Sequence, residues 1–216
     1  MNLSSISLAR ATILVEAESL DPKGRAFLPD VLQAFGSKYT FAKVPQKFED
    51  IDPQKGIKFE MGKARDVVVD SLTIFKDGLV VDTRSSTEDS ESVALDLIAF
   101  AAQAFGATVK PTRKLLISQL VFTSALNLSL LHPALEIMAK KVSDAVSETT
   151  GQRFDFEPSA IMFSPDYSLT KLSPARFTIE RRAEMPFAEK TYFSSAPLRT
   201  AEHIALVEQI ETALGG

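Results

Sequence analysis

The chain has 216 residues, of which 45% are hydrophobic and 24% charged, with a net charge of −4 and no cysteine. This composition is typical of a folded globular protein, and the acidic balance argues against a nucleic-acid surface spread over the whole molecule. The lack of cysteine excludes disulfides, zinc–thiolate sites, iron–sulfur clusters and thiol nucleophiles. Residues 1–6 show no basic region followed by an apolar block, and polar side chains interrupt the most apolar run, residues 115–131. We therefore expect a cytoplasmic protein without a membrane span.

The first elements along the chain are a strand, a helix and two shorter strands. Alternation and composition predict a strand over residues 11–18, ended by a turn at residues 21–24. A helix is expected to begin near Leu28, with a proline in its first turn, and to end at Gly36. Weaker strand patterns occupy residues 41–48 and 57–61.

A hairpin followed by a helix is the clearest local signal. Strand-like runs at residues 70–75 and 79–83 flank Asp77-Gly78, a pair that readily adopts the positive φ angles of a two-residue turn. Hydroxyl and carboxylate side chains at residues 85–91 then suit a helix N-terminus. The helix that follows is closed by Gly106, and its wide apolar arc predicts that it lies in the core.

The second half of the chain opens with the longest strand pattern, over residues 116–130. A helix then begins at His132-Pro133 and stops at Gly151, and Thr200 is expected to cap a final helix. Short strands are predicted between them, at residues 154–157, 161–163, 176–181 and 191–193. The helix after His132 carries an apolar stripe with a spacing of 3.6 residues, formed by Leu135, Met138, Ala139, Val142, Ala145 and Val146.

The order of predicted elements is the same in both halves: a long strand, a helix, an antiparallel meander and a hydroxyl-capped helix. The pattern predicts an α+β protein with a mainly antiparallel sheet, helices packed on one face, and two pseudo-repeated halves at residues 1–108 and 109–216. This layout resembles the TATA-binding-protein-like saddle and, less closely, the helix-grip folds. The resemblance implies a fold and transfers no function.

Two groups of polar residues are candidate binding residues. On the long strand, Gln119, Thr123, Asn127 and Ser129 share one parity, opposite the leucines, so they would form a polar face of the sheet. Lys110, Arg113 and Lys114 form a small basic cluster near the joint between the halves. Because no exposed aromatic residues alternate with these cations, a nucleic-acid partner is not expected.

Histidines and acids give weaker signals for chemistry. His132 precedes a helix and His203 lies in the first turn of the last one, where we expect it to be exposed. Their spacing does not match a metal site. Asp66, Asp70 and Asp82 lie on or beside the hairpin, where carboxylates on neighbouring strands could hold Mg²⁺.

The Pro165-Asp166 pair and the later Glu180-Arg181-Arg182 run are similar to the PD…ExK nuclease pattern, in which an Asp and a Glu hold the metal. Arg182 stands at the lysine position of that pattern, and an arginine cannot serve as a base. The chain also contains no glycine-rich phosphate loop and no GxSxG nucleophile elbow.

Three functions remain open. The first is a non-enzymatic binding or assembly protein that acts through protein–protein contacts, as a homo-oligomer or as one subunit of a complex. The second is a small-molecule-binding module with an apolar cavity between the sheet and helices such as the one after Ser86. The third is a metal-dependent hydrolase or nuclease. The first reading is favoured; it requires no catalytic residue, metal or cofactor.

Overall fold

The computed structural model describes residues 1–19, 27–169 and 172–215. Within these ranges the chain forms one eight-stranded antiparallel sheet and four α-helices. The strands are β1 (Asn2–Ser19), β2 (Ile57–Ala64), β3 (Val67–Phe75), β4 (Gly78–Thr83), β5 (Thr108–Thr123), β6 (Ala160–Phe163), β7 (Phe177–Arg181) and β8 (Thr191–Ala196). The helices are α1 (Leu28–Lys38), α2 (Thr87–Phe105), α3 (Pro133–Thr150) and α4 (Thr200–Gly215). The turn expected at residues 21–24 lies outside the described residues.

The strand order across the sheet is β2-β3-β4-β1-β5-β8-β7-β6. The two long strands, β1 and β5, pair at the centre from Asn2 opposite Thr123 to Ser19 opposite Thr108. Each is followed by a helix, a three-stranded meander and a second helix, so the same order of elements occurs on both sides of the central pair. The α+β antiparallel fold is thereby confirmed, while a repeat of the backbone itself, and the division near residue 108, stay predictions.

Helices α1, α2 and α4 cover one face of the sheet. Opposed residues of antiparallel strands point to the same face, and Ala9 of β1 lies opposite both Thr83 of β4 and Ser118 of β5. All three are completely buried on the helix side. Among the described residues, the core of the first half contains fourteen buried residues, from α1, α2, strands β1 to β4 and the segment after α1, whereas the core beneath α4 contains seven.

The hairpin forms as predicted, but its glycine has a different role. Phe75 lies opposite Gly78, so the two connecting residues are Lys76 and Asp77. None of these four residues has a positive φ. A Cβ at Gly78 would lie only 2.7 Å from the main-chain oxygen of Ile13. The glycine is therefore required because β1 passes close to β4, not because of the turn.

Three sequence-based element predictions are wrong. The strand expected over residues 116–130 ends at Thr123, where both of its partner strands end, β1 at Asn2 and β8 at Thr191. Residues 41–48 form only an isolated bridge between Lys43 and Glu60, followed by a short 3-10 helix, and residues 154–157 are irregular. In addition, α1 continues past Gly36 to Lys38.

Candidate functional site

Four of the predicted binding residues lie on the face of the sheet that carries no helix. Gln119 and Thr123 alternate with the buried Leu120 and Phe122 on β5 and so face the other side. Lys110 and Arg113 are three residues apart, so in a regular strand they would face opposite sides. The pairing of β5 with β1 shifts register between them, and this places both side chains on that same face. The structure thus places these four residues along one strand, on an open surface.

Lys114, in contrast, lies on the helix side. Its ammonium group forms an ion pair of 2.8 Å with Glu91 of α2, and Glu91 also accepts a hydrogen bond of 3.1 Å from Arg199. The hydrogen bond from Lys114 lowers the pKa of the Glu91 carboxyl. The predicted basic cluster is therefore divided between the two faces of the sheet, and its third member connects β5 to α2.

Asn127 and Ser129 lie beyond the end of β5, so they do not continue the polar face of the strand as predicted. The Asn127 side chain accepts a hydrogen bond of 3.0 Å from the Ser129 main-chain N–H at the start of a short 3-10 helix, Leu128–Leu131. Both line an open cleft of about 1000 Å³ between α3 and residues 153–158. The two-residue spacing of Asn127 and Ser129 therefore belongs to a helix cap and not to a strand.

Most of the candidate acids are occupied by neighbouring side chains. Asp82 accepts two hydrogen bonds from Arg10, at 2.6 and 2.8 Å, and one from Ser71. Asp70 pairs with Arg84 at 2.8 Å. Among the residues that the structure describes, no group of three or more histidine or acidic side chains is arranged to hold a metal ion.

The acids of the nuclease-like pattern belong to separate local structures. Asp166 accepts hydrogen bonds from both the main-chain N–H and the hydroxyl of Ser168, and the hydroxyl bond in particular lowers the pKa of its carboxyl. Glu180 lies on β7 opposite Ala160. Asp166 and Glu180 therefore have separate local partners, and these contacts do not arrange the two carboxylates as a metal site.

The two histidines have distinct roles. His132 caps α3, since its Nδ1 accepts the main-chain N–H of Ala134 at 3.1 Å. His203 is completely buried, so the expectation that it is exposed is wrong. Its Nε2 lies 2.7 Å from the hydroxyl of Ser194, and its ring meets Phe177 edge-on. Burial lowers the pKa of His203 to about 4.

A concentration of exposed apolar side chains in the second half, called the apolar surface below, is the feature that the sequence patterns did not identify. Nineteen large hydrophobic side chains are exposed among the described residues, and thirteen of them lie between Leu130 and Phe187. Monomeric proteins seldom expose large contiguous apolar patches unless these bind a partner. This half of the molecule is therefore the candidate functional site.

Helix α3 supplies part of this surface. None of its residues is fully buried, in contrast to α1, which contributes Leu32 and Phe35 to the core. The apolar stripe predicted for α3 is present, but only one side of it is partly covered. Met138 and Val142, on the other side, are 60% and 45% exposed. An amphipathic helix whose apolar face remains in water lacks the packing that normally stabilises it.

The segment after α3 runs along another side of the helix, at Ser143 and Ser147, and leaves Met138 and Val142 uncovered. The hydroxyls of Ser143 and Ser147 accept the main-chain N–H groups of Phe156 and Phe154 at 2.8 and 2.9 Å. These bonds hold the segment against the helix, yet both phenyl rings remain exposed. The segment thus extends the apolar surface instead of closing it.

Arg181 connects this segment to the sheet. Its guanidinium group pairs with Glu157 at 2.8 Å, donates to the main-chain oxygen of Phe187, and lies over the rings of Phe187 and Tyr192 at 4.5 and 5.5 Å. The side chain is only 13% exposed. These contacts fix residues 153–158, the short helix at Phe187 and β7 as one unit.

The outer edge of β6 is open. The main-chain N–H of Arg181 donates to the main-chain oxygen of Ser159 at 2.8 Å. In an antiparallel pair every second residue forms such bonds, so Ile161 and Ile179 are the next hydrogen-bonded pair. The N–H and C=O groups of Ala160 and Met162 therefore point away from β7. At the opposite edge of the sheet, residues 39–43 form main-chain hydrogen bonds along β2 and cover it.

Comparison with protein-family models and with curated protein sequences finds no match for this chain. No helix among the described residues is long and apolar enough to cross a membrane.

Proposed function

We propose that this protein is a non-enzymatic assembly protein, in which two copies associate through the edge of β6 and the apolar surface of the same half. The observation that carries the proposal is the open edge strand in the half that holds thirteen of the nineteen exposed large hydrophobic side chains. An exposed apolar edge is a template for strand pairing, and proteins usually cover it or place charges along it. β6, with the sequence Ala-Ile-Met-Phe, carries no charge.

The difference between the two edges supports this role. At the β2 edge, Ala42 donates to the Met61 main-chain oxygen at 3.0 Å, and Lys43 and Glu60 exchange two main-chain hydrogen bonds. No described segment performs the same task along β6. Phe163, at the end of β6, is 64% exposed. One edge of the sheet is closed within the chain, and the other is available for a partner.

A second copy of the chain is the partner that this edge fits. Two identical strands pair antiparallel about a two-fold axis, so the outward groups of Ala160 and Met162 in each copy bind those of the other. Exposed apolar side chains of the same half, among them Met138 and Val142 but not Ile137 on another side of α3, then lose contact with water. Specific dimers bury on the order of 1,600 Å² in total, which a strand of four residues cannot supply without such a surface.

The strand pairing is tested with Met162→Pro, using Met162→Ala as the matched control. Proline removes the outward N–H of residue 162 and breaks no hydrogen bond to β7. We expect Met162→Pro to weaken self-association by at least about tenfold, equivalent to about 1.4 kcal/mol, in light scattering across a range of protein concentrations. Met162→Ala keeps the N–H and should weaken it less. Circular dichroism and thermal unfolding verify that both variants are folded.

The contribution of α3 is tested with Val142→Glu, using Ile137→Glu as the control on the same helix. Both side chains are large, apolar and exposed, but Ile137 lies outside the stripe of Met138 and Val142. A charge at Val142 should weaken association about tenfold or more because it must be desolvated in the interface. Ile137→Glu should have little effect. Monomeric wild-type protein at every concentration, or equal effects of the two glutamates, would contradict the proposal.

A further inference from the structure

The first half of the molecule contains a pocket of about 510 Å³ between α1, α2 and one end of the sheet. Its floor is formed by Val15 of β1 and Leu79 of β4, and its walls by Phe35 of α1 and Leu97 of α2. The pocket reaches β5 through Val109, and strands β8 and β7 separate it from β6 in the sheet. It is therefore independent of the proposed assembly surface.

The lining of the pocket is almost entirely apolar. Nineteen residues line it, and only Gln54 and Lys76 have polar side chains. Protein interiors are normally packed without voids much larger than a water molecule, and small-molecule pockets have volumes of about 300–1,000 Å³. Water gains few hydrogen bonds in such surroundings. The pocket is thus suited to an apolar ligand, whereas a ligand with several polar groups would leave most of them unpaired.

One cation stands at the rim. Lys76 lies in the turn between β3 and β4, where its main-chain N–H donates to Pro53 at 2.9 Å, and its side chain is exposed. Within the described residues the Lys76 ammonium group has no ion pair or hydrogen bond. The nearby Asp52 carboxylate is engaged by Lys55 and by the Gln54 main-chain N–H. Lys76 is therefore available for an anionic group that enters with the ligand.

The N-terminus of α1 also borders this rim. Leu28, its first residue, lines the pocket, and Phe27 at the N-cap provides no side-chain cap. The positive end of a helix dipole favours a negative charge nearby, and Asp30 in the first turn already supplies one. From the apolar lining and the rim cation together, we infer that the pocket binds the alkyl chain of a fatty acid and that Lys76 pairs with its carboxylate.

The experiment is calorimetric titration of the full-length protein with sodium dodecanoate and with dodecyltrimethylammonium, which has the same chain and the opposite charge. We expect saturable binding of dodecanoate, at least about tenfold tighter than the cation, and a higher melting temperature when dodecanoate is present. No saturable binding of dodecanoate, or equal affinity for the two compounds, overturns the inference.

Variants locate the bound chain. Ala101→Phe fills the pocket from α2, whereas Ala104→Phe makes the same change on the same helix at an exposed position outside it. Val31→Phe fills the pocket from α1 and provides a second variant in case the first does not fold. We expect the two filling variants to weaken dodecanoate binding about tenfold or more, and Ala104→Phe to bind as the wild type does. Wild-type affinity in a folded filling variant would show that the ligand binds elsewhere, for example on the apolar surface of the second half.

The role of the rim cation is tested separately. Lys76→Gln should weaken dodecanoate binding about fivefold and leave the affinity for dodecyltrimethylammonium unchanged or higher. Lys63→Gln, which removes a positive charge on β2 away from the pocket, should change neither affinity. If the two glutamine variants bind dodecanoate equally, the carboxylate is not held by Lys76.

Discussion

His203 lies where burial keeps its ring neutral. The side chain is completely enclosed, and its immediate neighbours are the Ser194 hydroxyl, the Phe177 ring and the main chain of Ser118, none of which carries a charge. Burial lowers its pKa to about 4, while the nearby Ser118 main chain acts in the opposite direction with a smaller effect. Protonation would therefore place an unpaired charge in the core.

Stability should consequently depend on pH through this one residue. In the unfolded chain the ring binds a proton near pH 6.5, whereas in the folded protein it does so only near pH 4. Between these values the unfolded state binds more protons, so the free energy of unfolding falls as the pH falls. We expect the wild type to lose about 2 kcal/mol from this group between pH 7 and pH 5, measured by urea unfolding.

The variant His203→Gln should lose most of this pH dependence, because glutamine does not titrate. His132→Gln removes the other histidine, which is exposed at the start of α3, and should keep the wild-type slope. A wild-type slope in His203→Gln would show that His203 does not have the lowered pKa.

The position of His203 was predictable from the sequence, but its environment was not. Its place in the first turn of the last helix follows from the pattern after Thr200. Burial, however, depends on Ser194 and Phe177, which reach it from β8 and β7 through tertiary packing. Adjacent Glu202 is exposed and gives the opposite impression, because neighbouring residues on a helix point in directions about 100° apart.

At the scale of elements, the approach of β1 to β4 depends on a single missing side chain. Gly78 lies opposite Leu14, and a Cβ there would lie 2.7 Å from the Ile13 main-chain oxygen. Because the obstructing atom belongs to a central strand, side-chain rotation cannot relieve the contact. We expect Gly78→Ala to lower the free energy of unfolding by about 2–3 kcal/mol, through displacement of the β1–β4 ladder.

Gly151→Ala is the matched control for this substitution. Gly151 ends α3 with a φ of +70°, and an added Cβ meets nothing within 4 Å. Its replacement should cost only the backbone strain of that conformation, about 1 kcal/mol. Chemical denaturation of both variants gives the comparison; an equal or smaller cost at Gly78 would mean that the strands separate without loss.

Local patterns predicted elements well where their own residues decide the outcome. Ser86 caps α2 through the Asp89 N–H, and Gly106 closes that helix in the left-handed conformation, as the sequence indicates. The errors occur where another element decides. β5 stops at Thr123 because its two partner strands end there, β1 at Asn2 and β8 at Thr191. The stripe of α3 stays partly exposed because no described element covers all of it. The pattern shows that a surface is apolar, but it does not show what will cover it.

At the scale of the whole molecule, the two halves are joined by the N-termini of α2 and α4 as well as by the central strands. The Thr87 main-chain N–H donates to the Thr200 hydroxyl at 3.0 Å, and the Thr200 N–H donates to the Thr87 hydroxyl at 2.8 Å. Both residues are buried. Each threonine thus satisfies a free N–H at the start of the other helix, across a separation of 113 residues in the sequence. The sequence pattern indicates a cap at Thr200 but not that it serves the other helix.

The reciprocal hydrogen bonds of Thr87 and Thr200 predict that the two halves of the molecule contribute jointly to the free energy of unfolding. Thr200→Ala leaves the Thr87 N–H buried without its acceptor, and Thr87→Ala does the same to the Thr200 N–H, so each should cost about 1–2 kcal/mol of the free energy of unfolding. Because either change also frees the other side chain, the double variant should cost less than the sum by about 0.5–1 kcal/mol. Thr212→Ala, whose exposed hydroxyl bonds to the Glu208 carbonyl, should change stability by less than about 0.5 kcal/mol. Urea unfolding of the wild type and the four variants measures these terms, and strictly additive losses would show that the two helix ends stabilise their own halves independently.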